Sequence, residues 1–422
     1  MKQSGIDWIG KIPDDWKINQ LSQIVSQVKN KNTGLKENNL LSLSYGKIKR
    51  KNINTNDGLL PASFDGYNII TDGDIVLRLT DLQNDHTSLR VGRATEQGII
   101  TSAYTTLHPV NYDNSKYLYY ILHSFDLKKG FYGMGSGVRQ GLNYDEVKTL
   151  KVPLPPKATQ QRIAEYLDSK CAQIDSIIEE SKKSIEEYKA WKQSVIFEAV
   201  TGKNLNCKKK DSGIEWIGEI PENYKLIRLK FLLKEKLQYG ANSSGIEFTS
   251  DLPRYIRITD IKDSKTLYDE NKLSLSEEDA KDYILDDNDI LFARSGATSG
   301  KCFIYRKEIG KATFAGYLIR AKIDETKLLP NFLVLYTMTK AYEEWKNQVC
   351  IQATIQNINA EKYVNLIVPL PPLSEQESIA KMLDSKCAQI DSLIAEKESL
   401  IADLTEYKKS LIFEVVTGKR SV

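Results

Sequence analysis

The ten residues LDSKCAQIDS occur twice without a change, at 167–176 and again 216 positions later at 383–392. Whatever this chain folds into must use the same segment twice, so self-comparison organises the rest of the sequence. SGIDWIGKIPDDWK at 4–17 returns as SGIEWIGEIPENYK at 212–225, a shift of 208. VPLPPKATQQRIAEYLDSK from Val152 returns as VPLPPLSEQESIAKMLDSK from Val368, and SVIFEAVTGK from Ser194 returns as SLIFEVVTGK from Ser410, both shifted by 216. Between these anchors the halves diverge. Each half is therefore a variable segment followed by a near-constant one, with insertions confined to the variable part.

The near-constant segment predicts a long helix. Leu167, Cys171, Ile174, Ile178, Ile185, Tyr188, Val195 and Ala199 follow alternating steps of four and three. Leu383, Cys387, Ile390, Ile394, Ile401, Leu404, Leu411 and Val415 repeat the pattern, which is that of a coiled-coil seam. Pro155–Pro156 and Pro371–Pro372 are expected to block helix upstream; Ser374 with Glu377 suggests a capping box, and Thr159 a weaker N-cap. Gly202 and Gly418 supply the stops. About 42 residues at 1.5 Å each make a rod of roughly 60 Å.

Connectivity decides how two such rods pair. The second variable segment starts just after the first helix and ends where the second begins. A compact domain of about 160 residues is only about 40 Å across. Parallel rods would hold its ends roughly 60 Å apart; antiparallel rods bring them together. The expected fold is α+β: two tandem globular domains separated by two long helices packed as an antiparallel coiled coil, with approximate two-fold symmetry. Trp8 is expected beside the end of the second helix, as Trp216 beside the end of the first. The expected divisions are 1–152, a helical spacer 153–203, a linker 204–210, then 211–368 and a second spacer 369–422.

Composition excludes more than it suggests. The net charge is only +3, and no run approaches the roughly 18 apolar residues of a membrane span. The opening MKQSGIDWIGKIPDDW has no continuous apolar stretch of the secretory kind, and the five cysteines show no CxxC spacing, so a reduced, cytoplasmic location is expected. Cys171 and Cys387 read as buried seam residues. His86, His108 and His123 lack neighbours suited to zinc, and no metal site is expected. SGATSGKC at Ser295 imitates a phosphate-binding loop, but Ser295 stands where its first glycine belongs and Cys302 where the magnesium-binding hydroxyl belongs. No hydrolase, zinc-protease or amino-methyltransferase signature is present.

What recurs instead is a polar loop of small residues after a strand, flanked by basic side chains. The first half has RLTDLQND from Arg78 and GMGSGVRQGLN from Gly133; the second answers with ARSGATSGK from Ala293 and CIQATIQNIN from Cys350. Strands are expected in NLLSLSYGKI, GDIVLRLT, GIITSAYTTLHPV, RYIRITDI, NDILFARS and FAGYLIRAK, and helices in KYLYYILHS and NFLVLYTMTKAYEEW. Arginine and lysine suit guanine edges and phosphates, glutamine suits adenine, and small hydroxyl residues allow close backbone approach.

In WIGKIPDDW and WIGEIPENY, in DILFARSGATSGK, in GSGVRQGLNYDEVKTLKVPLPP and in PLPPLSEQESIA running to IFEVVTGK, the whole chain resembles the DNA-specificity subunits of type I restriction–modification systems. The resemblance implies two target-recognition domains, each reading one half of a bipartite, asymmetric site on double-stranded DNA, with the helices setting the gap. It implies a non-catalytic chain that assembles with two adenine-methylating modification subunits and with restriction subunits that translocate and cleave DNA. S-adenosylmethionine, ATP and Mg²⁺ then belong to those partners. Candidate DNA contacts in the first half are Ser44, Tyr45, Lys47, Arg78, Thr80, Arg93, Tyr104, Ser136, Arg139 and Gln140. In the second they are Arg257, Thr259, Arg294, Ser295, Thr298, Lys301, Tyr317, Gln352, Thr354 and Gln356. The rival readings are a coiled-coil adaptor whose end domains bind polypeptides, and an enzyme fused to recognition domains; the missing catalytic motifs speak against the second.

Overall fold

The structure is a computed structural model describing residues 1–53, 61, 63–85, 87–134, 141–350 and 357–422. The chain divides into two compact units: residues 1–182 with 398–422, and residues 183–397. Each unit contains one variable segment and a stretch of both long helices.

In the first unit a four-stranded antiparallel sheet runs in the order Val25–Gln27, Thr105–Pro109, Ile75–Leu77, Val91–Arg93. Ile75, Val76 and Leu77 are all wholly buried, because the sheet is covered on both faces. The second unit repeats the order with Gln238–Tyr239, Leu318–Ala321, Ile290–Ala293 and Cys302–Ile304. Around this shared sheet the units differ. The first has a hairpin, Leu41–Ser44 with Lys47–Arg50, and a pair Asn68–Ile70 with Gly98–Ile100. The second has another four-stranded sheet in which Arg254–Ile256 runs parallel to Ala312–Phe314. GIITSAYTTLHPV thus makes two strands, and NFLVLYTMTKAYEEW two helices, Pro330–Thr337 and Lys340–Cys350.

The anchors with different repeat shifts pair with one another. Lys17–Gln20 lies antiparallel to Lys151–Leu154 in the first unit, and Lys225–Arg228 to Ile367–Leu370 in the second. That two-stranded clasp delivers the chain into its long helix, which explains why both anchors survive while the segment between them diverges.

The long helices run Lys157–Thr201 and Leu373–Val416. In the first unit the end of the second helix, with Leu411, Ile412 and Val415, packs in one core with Leu167, Cys171 and Ile174 near the start of the first. The second unit mirrors this: Ile196, Ala199 and Val200 share a core with Ile379, Ala380 and Leu383. The pairing is antiparallel in both. Lys408 Nζ meets Asp175 Oδ1 at 2.6 Å in the first unit, and Lys192 Nζ meets Asp391 at 2.7 Å in the second. These are the same pair from the two copies of the repeat. Partly exposed, such pairs contribute only about 0–1 kcal/mol each, so they fix register more than they stabilise. The apolar pattern skips two seam positions in each helix: Ser181, which is buried, and Lys192 in the first, Lys397 and Lys408 in the second, with Lys192 and Lys408 forming the ion pairs above. Ile185 is buried, whereas Ile178, Ile394, Ile401 and Cys387 are half-buried. A seam between only two helices is narrow, and these positions are covered from one side.

Trp8 packs against Phe413, ring centroids 6.2 Å apart, and Trp216 joins the core around Ile196. Both helices stop as expected. Gly202 (φ +69°) and Gly418 (φ +71°) adopt the left-handed conformation, and a Cβ on either would collide with Pro221 at 2.5 Å or Pro13 at 2.4 Å. The starts differ from expectation. Pro156 O accepts from the N–H groups of Thr159 and Gln160, and Pro372 O from those of Glu375 and Gln376. Thr159 and Ser374 therefore lie inside the first turn and are not N-caps. The proline pairs start the helices, since a proline at a helix N-terminus gives up an N–H that had no partner there.

Candidate nucleic-acid interface

In the second unit the chain ends of three strands are laced into one loop face. Gly316 N donates to Ala241 O at 2.7 Å, Ala315 N to Ile256 O at 2.9 Å, and Arg294 N to Tyr317 O at 3.0 Å. Arg294 O accepts from Ile358 N at 2.8 Å, and Ser295 bridges Asn357, which fastens Asn357 and Ile358 to the same place. The Arg294 guanidinium sits 5.0 Å over the Tyr239 ring and reaches Gly316 O only at 3.5 Å; its Nε has no partner. Tyr317 is 64% exposed and Tyr239 39%. The arginine is thus half-buried with its Nε inside the protein, aimed by stacking, held by one long hydrogen bond, and set beside exposed aromatic rings. That combination has the chemistry, charge and stacking together, that suits a nucleic acid.

The other expected residues of this unit fall elsewhere. Arg257 is committed inside the protein: it grips Asp260 through Nε (3.1 Å) and Nη2 (2.7 Å) and donates to Asn271 O. Thr259 is exposed on the turn that this pair holds. Thr298 and Lys301 line a separate cleft of about 410 Å³ with Lys262 and Lys346. Lys301 Nζ donates to Ile261 O at 3.1 Å, a use unlike that of a phosphate-binding lysine. Gln352, Thr354 and Gln356, like Ser136, Arg139 and Gln140 of the first unit, lie outside the described residues, as does His86.

Backbone ladders align the first unit with the second. Arg78 N donates to Arg90 O as Ala293 N does to Lys301 O, and Leu79 O accepts from Leu142 N as Arg294 O does from Ile358 N. Asp81 (φ +58°) turns where Gly296 (φ +74°) turns. Arg78 therefore matches Ala293, and the place of Arg294 is taken by Leu79, which is buried. Arg78 lies 3.7 Å from Asp85, and Thr80 is exposed beside it. Tyr45, 80% exposed at the tip of its hairpin (φ +47°), projects between Ser44 and Lys47. Lys47 and Arg93 line one cleft of about 460 Å³ with Lys116. Arg93 is largely spent, on Ser115 Oγ at 2.8 Å and Asp72 at 3.2 Å. Tyr104 packs against the apolar cluster around Leu41 and Ile100.

Two residues escaped sequence reasoning. Tyr239 precedes a glycine in a polar stretch with no motif around it. Arg90 is wholly buried, and its backbone N–H donates to Asp126 Oδ2 at 2.6 Å. Burial pushes the Asp126 carboxyl up to about 6, against that hydrogen bond, which lowers it. A carboxyl raised on folding contributes stability in full below about pH 4 and loses it as pH rises through about 6. Asp126→Asn keeps an acceptor for Arg90. It should gain on the native chain by up to about 3 kcal/mol between pH 4 and pH 7, as read by denaturant unfolding at both. A difference that does not move with pH would contradict this.

Two units with one sheet order, each closed onto its own stretch of paired helix, define a duplicated scaffold. The chain belongs to the type I restriction modification DNA specificity domain family, whose description matches residues 13–187 and 209–401. It is 24% identical over 422 residues to the MjaVIII type I restriction enzyme specificity subunit of Methanocaldococcus jannaschii, covering 97% of this chain and 94% of that one. It is 27% identical over 280 residues to the EcoBI specificity subunit of Escherichia coli, covering 64% of this chain and 58% of that relative. Among solved structures, a chain from a study of type I R-M complex assembly and conformational transition superposes with a TM-score of 0.73 at 15% identity, over 97% of this chain and all of that one. The HsdS subunit from Thermoanaerobacter tengcongensis gives 0.55 at 13%, over the full length of both. Among the described residues no helix is long and apolar enough to cross a membrane, and no group of three or more metal-ligating side chains occurs.

Proposed function

We propose that this chain is the non-catalytic DNA-reading subunit of a cytoplasmic type I restriction–modification complex. Each unit reads one half of a bipartite site on duplex DNA, and the helix pair sets the gap. The observation that carries this reading is Arg294, half-buried, stacked on Tyr239 and beside the exposed Tyr317. Two modification subunits methylate adenine and restriction subunits translocate and cleave, so S-adenosylmethionine, ATP and Mg²⁺ are held by them. Joining two short readers multiplies their discrimination, since each mismatch costs only about 1–3 kcal/mol.

A repeated outer face of the helices supports paired partners. Ile177 and Leu393 are equivalent positions and both exposed, as are Trp191 and Tyr407. Ile177 precedes the seam residue Ile178, and Tyr407 precedes Lys408. In an antiparallel pair, positions one residue before the seam fall on the same side, so each unit offers one aromatic and one aliphatic side chain together. Equivalent faces in both units suit two copies of one partner.

The test is Arg294→Ala, followed by sequencing of adenine methylation in cells carrying the complete system. Preference at one half-site should weaken by about 1–3 kcal/mol, the usual effect of removing one base-reading arginine, while the other half-site and the gap stay as they were. Equal drift at both half-sites would defeat the assignment of one unit to each.

A further inference from the structure

We propose that Arg90 is the positioning residue for the first unit's reading loop, and so decides which bases that unit accepts; this rests on the reading of that unit as a recognition domain. Its guanidinium is wholly buried and has no carboxylate among its direct hydrogen-bond partners. Instead all five N–H groups have partners that shape one loop. Nη1 donates to the carbonyls of Arg78 (3.1 Å) and Thr80 (2.8 Å), and Nη2 to those of Asp81 (3.3 Å) and Asp85. Nε donates to Tyr132 Oη at 3.0 Å, and that hydroxyl donates in turn to Asp85 O at 2.9 Å. The Tyr132 ring lies 5.0 Å from the guanidinium carbon.

The carbonyls Arg90 gathers belong to the stretch that displays Arg78 and Thr80. Leu79 and Leu82 are buried, Thr80 is exposed and Arg78 half-exposed, with those oxygens turned inward onto one cation. The second unit shows what happens without it. There Lys301 stands at the matching ladder position, the loop is four residues shorter, and Gly296 and Gly300 make the turns at positive φ. Arg90 is the price of the longer loop: a lysine offers three donors on a point charge and cannot span four carbonyls in a fork. The Asp85 and Asp126 carboxylates lie close enough to offset part of the cost of burying this cation, but the guanidinium's own hydrogen bonds all go to carbonyls and a hydroxyl that shape the loop.

Two measurements on the full-length subunit test this, with Arg90→Met as the main variant and Tyr132→Phe as a milder one that removes two of the bonds and no charge. By hydrogen exchange of the purified chain, amides in 78–90 should exchange at least tenfold faster in Arg90→Met and by a smaller factor in Tyr132→Phe. The second unit should be unchanged. Unaltered protection of 78–90 in both variants overturns the proposal, with no reference to DNA. By methylation sequencing with partner subunits present, base preference at the first unit's half-site should relax while the second half-site and gap persist. Reduced methylation with both half-site preferences intact would make Arg90 merely structural and equally overturn it. Altered exchange together with no bipartite methylation even by the native chain would instead sink the recognition reading and leave the loop assignment standing.

Discussion

Removing one heptad from each long helix, residues 180–186 together with 396–402, shortens the preferred gap between half-sites by about three base pairs and leaves both half-site sequences unaltered. The magnitude follows from geometry: seven residues at 1.5 Å are about 10 Å, and base pairs stack at about 3.4 Å. Both deletions fall between the ion pairs, which hold Asp175 to Lys408 and Asp391 to Lys192. Whole heptads keep the seam in phase, so each unit keeps its own core and its own pair. Native sites should then be almost unmethylated and a shorter family of sites methylated in their place. Deleting the heptad from one helix only leaves rods of unequal length, and one of the two ion pairs must open. That variant should lose methylation altogether rather than shift the gap. If the double deletion still marks sites at the native spacing, the helices are tethers and not a ruler.

The parts of this fold governed by periodicity and duplication were legible in the sequence; those governed by tertiary partners were not. The seam could be read because buried positions on a two-helix rod must recur every three or four residues. Antiparallel pairing could be read because a compact domain cannot bridge a rod's length. The clasp between Lys17–Gln20 and Lys151–Leu154 was visible only as two repeated anchors, since strands so far apart along the chain leave no local pattern of their pairing. The loops were marked in the sequence as places of interest, yet their arginines were not separable by sequence. Arg257, Arg93 and Arg294 all follow or close strands. What distinguishes them is whether an aspartate waits nearby: Asp260 takes the first, Asp72 the second, and among the described residues Arg294 meets a carbonyl and a tyrosine ring. The helix starts were missed for a different reason. Serine or threonine near a first turn looks like a cap, but a preceding proline pair already supplies the start.

Charging the outer helix face should strip partner subunits one at a time. Tyr407→Glu acts on the first unit and Trp191→Glu on the second, and each places a carboxylate beside its exposed aliphatic neighbour, Ile177 or Leu393. Neither side chain is buried, with 47% and 51% of its surface exposed, so the isolated chain should keep its fold and melting temperature. A partner that buries the aromatic ring would have to desolvate a charge, at position 407 together with Arg420, which hydrogen-bonds Tyr407, and that cost is of the size most single side chains in an interface supply or larger. Mass measurement of the reconstituted complex should therefore find two modification subunits on the native chain, one on either single variant and none on the double. Because equivalent residues carry both faces, the two single variants should be weakened alike. A native complex unaffected by the double variant would place the partners on another surface. Loss of both partners from either single variant would mean that one face serves the whole assembly, against the duplication that Ile177, Leu393, Trp191 and Tyr407 display.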